Sequence, residues 1–419
     1  MDVNKGGAGS VLFTVLVCTA AFGQETTSLP ACRVVEIGRG HSWVSPYWGY
    51  NTPKIVSDGT CYYTEGLWGM VPDQAEGRLY KWDGTAWHAG AHLPDIYQPA
   101  TLLLDSEKRL IVIHTRKERP AVFLRAREPR TADHFEALPA PPDMVNAYYV
   151  GAAIRTNTLY FAYLMTPSYT MYLAKLDLNS LKWTPSSVVC EGQVAHKPKT
   201  AWTYSILVPT DAGLHFVASN CPDGGEGNTY NQVWYLFYPA GAMQPTVREM
   251  VAECPMGHFA YGTDIVVDAS GLVHVSYLWN KRVYGEGMPP GSPAEGTYHA
   301  WRAPDAGGWR REYLGPTAIT GFFVWQDGLL VIVPRNRTLV PLKWVGGEAG
   351  WKELTPLCDA KQIPAGPSFM DVISTSSGSD THAGIALVTD GLLPGSEGES
   401  PERVLWSLLP ADSIRAGGK

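Results

Sequence analysis

Apolar and polar positions alternate along most of the chain in short β-type runs separated by small polar turns, and no stretch carries a convincing helical period. An Asp-Gly turn or near equivalent returns at Asp58-Gly59, Asp105, Asn157, Asp211, Asp268, Asp327 and Ser377-Gly378, in steps of roughly 50 to 60 residues. A second mark keeps the same spacing: a strand, a polar turn, then a tryptophan. It occurs in Tyr80-Lys-Trp-Asp-Gly-Thr-Ala-Trp87, Leu176-Asp-Leu-Asn-Ser-Leu-Lys-Trp183, Trp301-Arg-Ala-Pro-Asp-Ala-Gly-Gly-Trp309 and Trp344-Val-Gly-Gly-Glu-Ala-Gly-Trp351. Two hairpins per unit predict a four-stranded blade, so the pattern predicts an all-β, seven-bladed β-propeller of four-stranded antiparallel blades.

The seven units fall at about residues 45–90, 100–139, 147–190, 201–253, 260–314, 318–355 and 368–410. The segment Cys32-Arg-Val-Val-Glu-Ile-Gly38 alternates like a strand and precedes the first unit, so it is expected to pair with the last blade and close the ring. At 419 residues the chain is longer than one core usually allows, but repeated units bury their faces on their neighbours. Lys5, the apolar stretch Val11 to Phe22, and small residues at Ala21 and Gly23 read as a secretory signal peptide over residues 1–23. Residues 24–419 then form a single propeller domain, expected to be secreted or periplasmic. Val17 before Cys18 fits lipidation poorly.

Composition narrows the class further. Hydrophobic residues make up 45%, aromatics 11% and charged residues 17%, and the net charge is -7; this is a folded, aromatic-rich chain with no general affinity for nucleic acid. No other stretch reaches membrane length, and a monomer is expected. The mature chain keeps Cys32, Cys61, Cys190, Cys221, Cys254 and Cys358, an even number that permits disulfides in an exported protein. No Cys/His spacing suggests zinc, and no metal or cofactor is expected. The Asp223-Gly-Gly-Glu-Gly-Asn228 loop offers oxygens to calcium without the EF-hand spacing, and Asn336-Arg-Thr338 is a formal glycosylation sequon.

If the short turns join strands A to B and C to D, the D-to-A and B-to-C connections share the opposite face, where propellers carry their binding groups. That face collects His114-Thr-Arg-Lys-Glu-Arg119, Asn280-Lys-Arg282, Arg335-Asn-Arg337, His41, His92, His196-Lys-Pro-Lys199 and His258. Trp43, Tyr47, Trp48, Tyr50, Tyr97, Tyr148, Tyr149, Trp202, Tyr204 and Tyr261 accompany them. Aromatic planes stack on sugar rings and guanidinium forks hold carboxylates or sulfates, so the expected partner is an acidic polysaccharide or oligosaccharide. The same aromatics also suit packing between blades.

The stretches Pro94-Asp-Ile-Tyr-Gln-Pro-Ala-Thr-Leu-Leu-Leu-Asp105, Arg109-Leu-Ile-Val-Ile-His114 and Phe123-Leu-Arg-Ala-Arg-Glu-Pro129 resemble the second blade of BNR-repeat (sialidase-like) propellers. The branch they resemble includes ulvan lyases and propeller rhamnosidases acting on rhamnose–glucuronate linkages. The run Phe259 to Trp279 resembles a later blade. Tyr97-Gln98 stands where that branch shows a histidine, and the sialidase Arg-Ile-Pro signature and regular Asp-boxes are missing, so sialidase activity is not expected. The resemblance implies an exported carbohydrate-active protein, a polysaccharide lyase or glycoside hydrolase; the alternative is a non-catalytic carbohydrate-binding or protein-interaction propeller. A lyase would use His41, His114, His196, His258, Tyr204 and Tyr261 for proton transfer, and Arg116, Arg282, Arg335, Trp43, Tyr97 and Trp202 for substrate binding. A hydrolase would need two facing carboxylates, with Glu65, Asp95, Asp264 and Asp371 available on the loop face.

Overall fold

The structure, a computed structural model, describes residues 32–42, 53–69, 75–192, 201–221, 231–254, 258–281, 294–303, 308–316, 321–325, 328–335, 338–346, 350–357, 373–374, 386–393, 395–396 and 401–410. All regular elements among them are β-strands, grouped in seven antiparallel sheets. From innermost to outermost strand, blade 1 runs Ile55–Ser57, Tyr62–Trp68, Glu76–Trp82 and Trp87–Leu93, and blade 2 runs Thr101–Leu104, Leu110–Arg116, Arg119–Ala126 and Phe135–Leu138. Blade 3 has Tyr148–Arg155, Thr158–Met165 and Thr170–Asp177, with an outer edge in two pieces, Lys182–Trp183 and Ser187–Cys190. Blade 4 has Ala201–Pro209, Gly213–Cys221, Gln232–Pro239 and Val247–Glu253; blade 5 has His258–Val267, Val273–Lys281, Gly296–Arg302 and Arg310–Gly315. Blade 6 has Phe322–Trp325, Gly328–Arg335, Thr338–Trp344 and Trp351–Glu353.

Blade 7 draws Ile373–Ser374, Leu387–Leu392 and Glu402–Pro410 from the last unit, and its outer strand is Cys32–His41. The closing strand expected from the sequence is therefore present, paired from Cys32↔Pro410 to His41↔Glu402. It runs three residues beyond Gly38, past a register shift between Glu36 and Gly38. Each blade shares an apolar core with the next: Leu67 with Val112, Phe123 with Phe161, Leu173 with Phe216, Val217 with Val275, Leu314 with Val331, and Leu330 with Leu387. The seventh core joins Ile37 and Leu405 of blade 7 to Ile55 and Trp82 of blade 1. A core between the last and first blades is what makes the array a ring.

The short turns at Asp58, Asp83, Asp105, Asp177 and Asp268 are held by these acidic residues, for the reason Asp favours turns: its carboxylate accepts the backbone N–H groups that the bend leaves unpaired, whereas the exposed Asp211 carboxylate pairs with Arg155 instead. Asp58 Oδ1 accepts from the N–H groups of Thr60 and Cys61, both at 2.7 Å, and Asp268 Oδ1 accepts from those of Ser270 and Leu272, both at 2.9 Å. The Ala86 N–H, with Thr85, holds the Asp83 carboxyl well below the usual carboxylate range. Both turn classes leave the D-to-A and B-to-C connections on the other face, as the sequence predicts.

Cys61, Cys190 and Cys254 are free thiols, and burial raises the pKa of Cys61 and Cys190 and pushes that of Cys254 up to about 12. Cys221 and Cys358 have side chains outside the described residues, as do the signal segment, the 223–228 loop and the Asn336 sequon. No helix among the described residues is long and apolar enough to cross a membrane.

Asp105 is buried, and its carboxylate accepts from the N–H groups of Glu107 and Arg109 and from Arg109 Nε at 2.8 Å. Replacing it by alanine strands these donors and is expected to lower the unfolding free energy by about 2–4 kcal/mol, measured by urea denaturation. A loss below about 0.5 kcal/mol would show that the turn does not depend on its acid.

Candidate functional site

On the loop face, the lead-ins to the innermost strands of blades 2 to 5 carry aromatic side chains that touch one another from blade to blade. Tyr97 meets Tyr148 edge-on with centroids 5.6 Å apart; Tyr149 meets Tyr204 at 4.9 Å, Tyr204 meets Tyr261 edge-on at 5.2 Å, and Tyr261 stacks on Phe259 at 5.1 Å. Hydrogen bonds fix the row from below. Tyr97 N donates to Thr115 O at 2.9 Å, Tyr149 N donates to Gln98 Oε1 at 3.2 Å, and the Tyr148 hydroxyl accepts from Glu118 N at 3.0 Å.

The backbone under the row is irregular in the same place three times running. Pairing shifts between Tyr148 and Gly151 in blade 3, between Thr203 and Ile206 in blade 4, and between Gly262 and Asp264 in blade 5. An extra residue in a strand re-aims the side chains around it. Tyr149 has φ 44° and Tyr204 has φ 51°, in the left-handed region that bulky residues seldom occupy. Conformations of this kind persist where surrounding contacts over-determine them, and they gather at functional sites. Gly151 allows the close approach: a Cβ there would lie 2.1 Å from the backbone oxygen of Ser205.

Charge enters at the blade 2 end. Arg116 is half-buried and donates from Nε and Nη2 to Pro120 O at 3.3 and 3.2 Å, while exposed Arg119 pairs with Asp95 at 2.8 Å. His114 lies beneath them, buried, with Nδ1 lacking a partner among the described residues; burial, aided by the Arg116 charge, pushes its pKa down to about 4. His258 of blade 5 is likewise buried with its Nδ1 unpartnered, as are the Thr115, Thr203 and Ser205 hydroxyls. A band of unmatched polar atoms thus lies just under the aromatic row.

The structure brings together Tyr97, Tyr204, Tyr261 and Arg116, with His114 and His258 beneath the row in blades 2 and 5. It sets three others apart. His41 is exposed at the end of the outermost strand of blade 7, and His92, on the outer strand of blade 1, pairs with Glu76 at 2.9 Å. Trp202 is buried between blades 3 and 4, stacked on Trp234 with the Arg248 guanidinium 4.8 Å over its ring, so it serves packing and presents no face to a sugar. Trp43, Tyr47, Trp48, Tyr50, His196, Arg282 and Asp371, and the side chain of Arg335, lie outside the described residues.

The carboxylates are committed elsewhere. Asp264 accepts from the N–H groups of Ile265 and Phe322, and Asp95 holds Arg119. Glu65 accepts from Ala100 N beside buried Lys54; burial pushes Glu65 up and Lys54 down, each opposed by attraction to the other. Gln98, Arg119 and Phe259 belong to the site although the sequence reading names them without giving them a role. Their signal is position: each flanks a turn or lead-in beside a residue that was singled out.

No protein-family profile matches the chain, and no curated protein matches it in sequence. The fold is similar to solved structures. An ulvan lyase of polysaccharide lyase family PL25, bound to GlcA(1-4)Rha3S units, aligns with a TM-score of 0.63 at 12% identity over 88% of this chain and 95% of its own. Polysaccharide lyase Uly1 aligns with a TM-score of 0.58 at 10% identity over 90% of this chain and 100% of its own. At these identities the likeness shows a shared propeller fold.

Two outcomes follow from the geometry. Gly151→Ala drives a methyl into the Ser205 carbonyl and is expected to destabilise the fold by about 1–3 kcal/mol and to change tyrosine near-UV dichroism; an unchanged spectrum and melting point would refute the close approach. His114, held near 4 in the folded state against about 6.5 unfolded, binds fewer protons folded than unfolded between those values. Its contribution is present above that window and is lost as pH falls through it. His114→Gln should flatten the acid limb of a melting-temperature profile between about pH 6.5 and 4, and an unaltered limb would exclude this burial effect.

Proposed function

We propose that the loop face binds an acidic, uronate-bearing polysaccharide along the aromatic row from Tyr97 to Phe259 and cleaves it by β-elimination. The observation that carries the proposal is the row itself: four consecutive blades contribute rings that touch in series, two of them on left-handed backbone, with Tyr204 buried in the middle, the other rings partly exposed, and two guanidinium groups at one end. Rings bind the apolar faces of sugars, and Arg116 and Arg119 match carboxylate or sulfate. The propeller of similar fold bound to GlcA(1-4)Rha3S, a uronate-containing unit, supports the substrate class.

Elimination requires the uronate carboxylate to be neutralised, which acidifies the C5 hydrogen. That proton passes to a base, the C4–O4 bond breaks, a C4=C5 double bond forms, and the departing oxygen takes a proton. Arg116 is assigned to the carboxylate, and Tyr204 and Tyr261 to proton transfer above the buried, neutral His114 and the buried His258. Hydrolysis fits less well, since Glu65, Asp95 and Asp264 are bound to other groups and do not form a facing pair. A purely binding role is the second reading, favoured by the separation of His41, His114 and His258 among blades 7, 2 and 5.

Incubation with ulvan, gum arabic and pectic fragments, followed by the ultraviolet absorbance of unsaturated uronates and by reducing ends, separates the readings. Elimination yields both signals, hydrolysis only reducing ends. Retention of the polysaccharide without product establishes a binder, and neither retention nor product removes the carbohydrate proposal. On a cleaved substrate, Tyr204→Phe should lower kcat by about 100-fold or more while leaving retention intact. Arg116→Ala should weaken both kcat and KM; wild-type turnover in both variants would refute these assignments.

A further inference from the structure

On the opposite, turn-bearing face, blades 4 and 5 enclose a cavity of about 680 Å³ whose wall includes Val247, Val267, Phe237, Arg302 and Asp268. Behind Asp268 a line of four titratable groups runs through blade 5. Asp268 Oδ2 lies 3.3 Å from His274 Nε2, His274 Nδ1 lies 2.9 Å from His299 Nε2, and His299 Nδ1 lies 2.8 Å from Glu312 Oε1. Both imidazoles are fully buried and nearly parallel, with centroids 5.2 Å apart, while Asp268 and Glu312 reach solvent at the two ends, with side chains 23% and 26% exposed.

Three contacts of this kind need three protons. Two ionised carboxylates supply none, and two neutral imidazoles supply one each. Burial keeps both rings neutral near pH 7, lowering His274 to about 4 and His299 in the same direction, so one contact goes without. The distances identify it: the contacts at 2.8 and 2.9 Å hold the protons, and the one at 3.3 Å sets the His274 lone pair against a carboxylate. Trp351 Nε1 also approaches His299 Nδ1, at 3.3 Å. A lone pair there would accept from the indole but would confront Glu312 at the shorter distance, so the Glu312 contact keeps the proton on Nδ1. The charged groups facing the two rings are Asp268 and Glu312, and blade 6 contributes the rings of Phe322, Trp344 and Trp351.

We propose that the Asp268–His274–His299–Glu312 line is a single-proton site, open between His274 Nε2 and Asp268 at neutral pH and filled by one shared proton, delivered from the cavity, as the medium acidifies. Filling cancels the one negative charge that the pair presents to the cavity and turns its weakest contact into a charge-assisted hydrogen bond. The site thereby makes the charge of the turn face depend on pH, independently of any chemistry on the loop face.

Nitrogen-15 spectra of the histidine rings, with His274 identified by its loss in His274→Gln, test the open state in the intact protein. Both rings are expected as Nδ1–H tautomers at pH 7, with His274 Nε2 bare and gaining a proton in one step on acidification. A proton on His274 Nε2 at pH 7 would overturn the proposal. Asp268→Asn keeps the turn-forming oxygen and places an N–H donor against the bare nitrogen. It is expected to raise Tm by about 2 °C or more at pH 7 and to abolish that titration. A lower Tm at pH 7 in the folded variant would likewise overturn it, and should the variant not fold, the wild-type spectra decide alone.

Discussion

The structure depends on the burial of both faces of every blade. A four-stranded sheet has two faces, and here each is covered by the neighbouring sheet, so six shared cores require a seventh between the ends of the series. The Cys32–His41 strand makes that seventh core possible by adding Ile37 to it and by pairing with Glu402–Pro410. Side-chain and backbone bonds reinforce the seam: Trp87 Nε1 donates to Ser407 Oγ at 2.9 Å, and Gly69 N donates to His41 O at 2.8 Å. Without closure, the outer surface of blade 7 and the matching surface of blade 1 would both face water.

The turn face is occupied by tight corners, several of them closed by the corner's own acid, with left-handed residues at Lys108, Thr156 and Leu181. The loop face carries the longer connections, and there the bulges of blades 3, 4 and 5 and the left-handed tyrosines occur side by side. Local strain of this kind costs on the order of 1–3 kcal/mol per residue, which large inter-blade cores can offset. The disc holds the aromatic row in a continuous series of ring contacts from Tyr97 of blade 2 to Phe259 of blade 5.

Much of the architecture was legible in the sequence because it rests on local chemistry. Asp58, Asp105 and Asp268 mark corners in the sequence and form them in the structure through the same carboxylate oxygen. The closing strand was legible from the alternation of Cys32 to Gly38. The site was legible only in outline. Tyr204 and Trp202 stand two residues apart in one strand, and alternation treats them alike, but the bulge after Thr203 turns one toward the row and leaves the other under Arg248. Positive φ at Tyr149 and Tyr204 contradicts the propensity of tyrosine and follows from contacts between blades, which no window of sequence contains. The thiols show the same limit: an even number of cysteines permits bridges, yet Cys61, Cys190 and Cys254 lie in different blades and remain free.

The closing strand has a further consequence for biosynthesis. Because blade 7 is assembled from residues near both extremities of the chain, a nascent polypeptide cannot complete the disc until translation has passed Pro410. Six sheets can form while the early segment waits without its partner, exposing apolar side chains such as Ile37 to solvent and to chaperones. Final maturation is then an encounter between two distant ends, and its rate is set by how long the first of them stays unpaired.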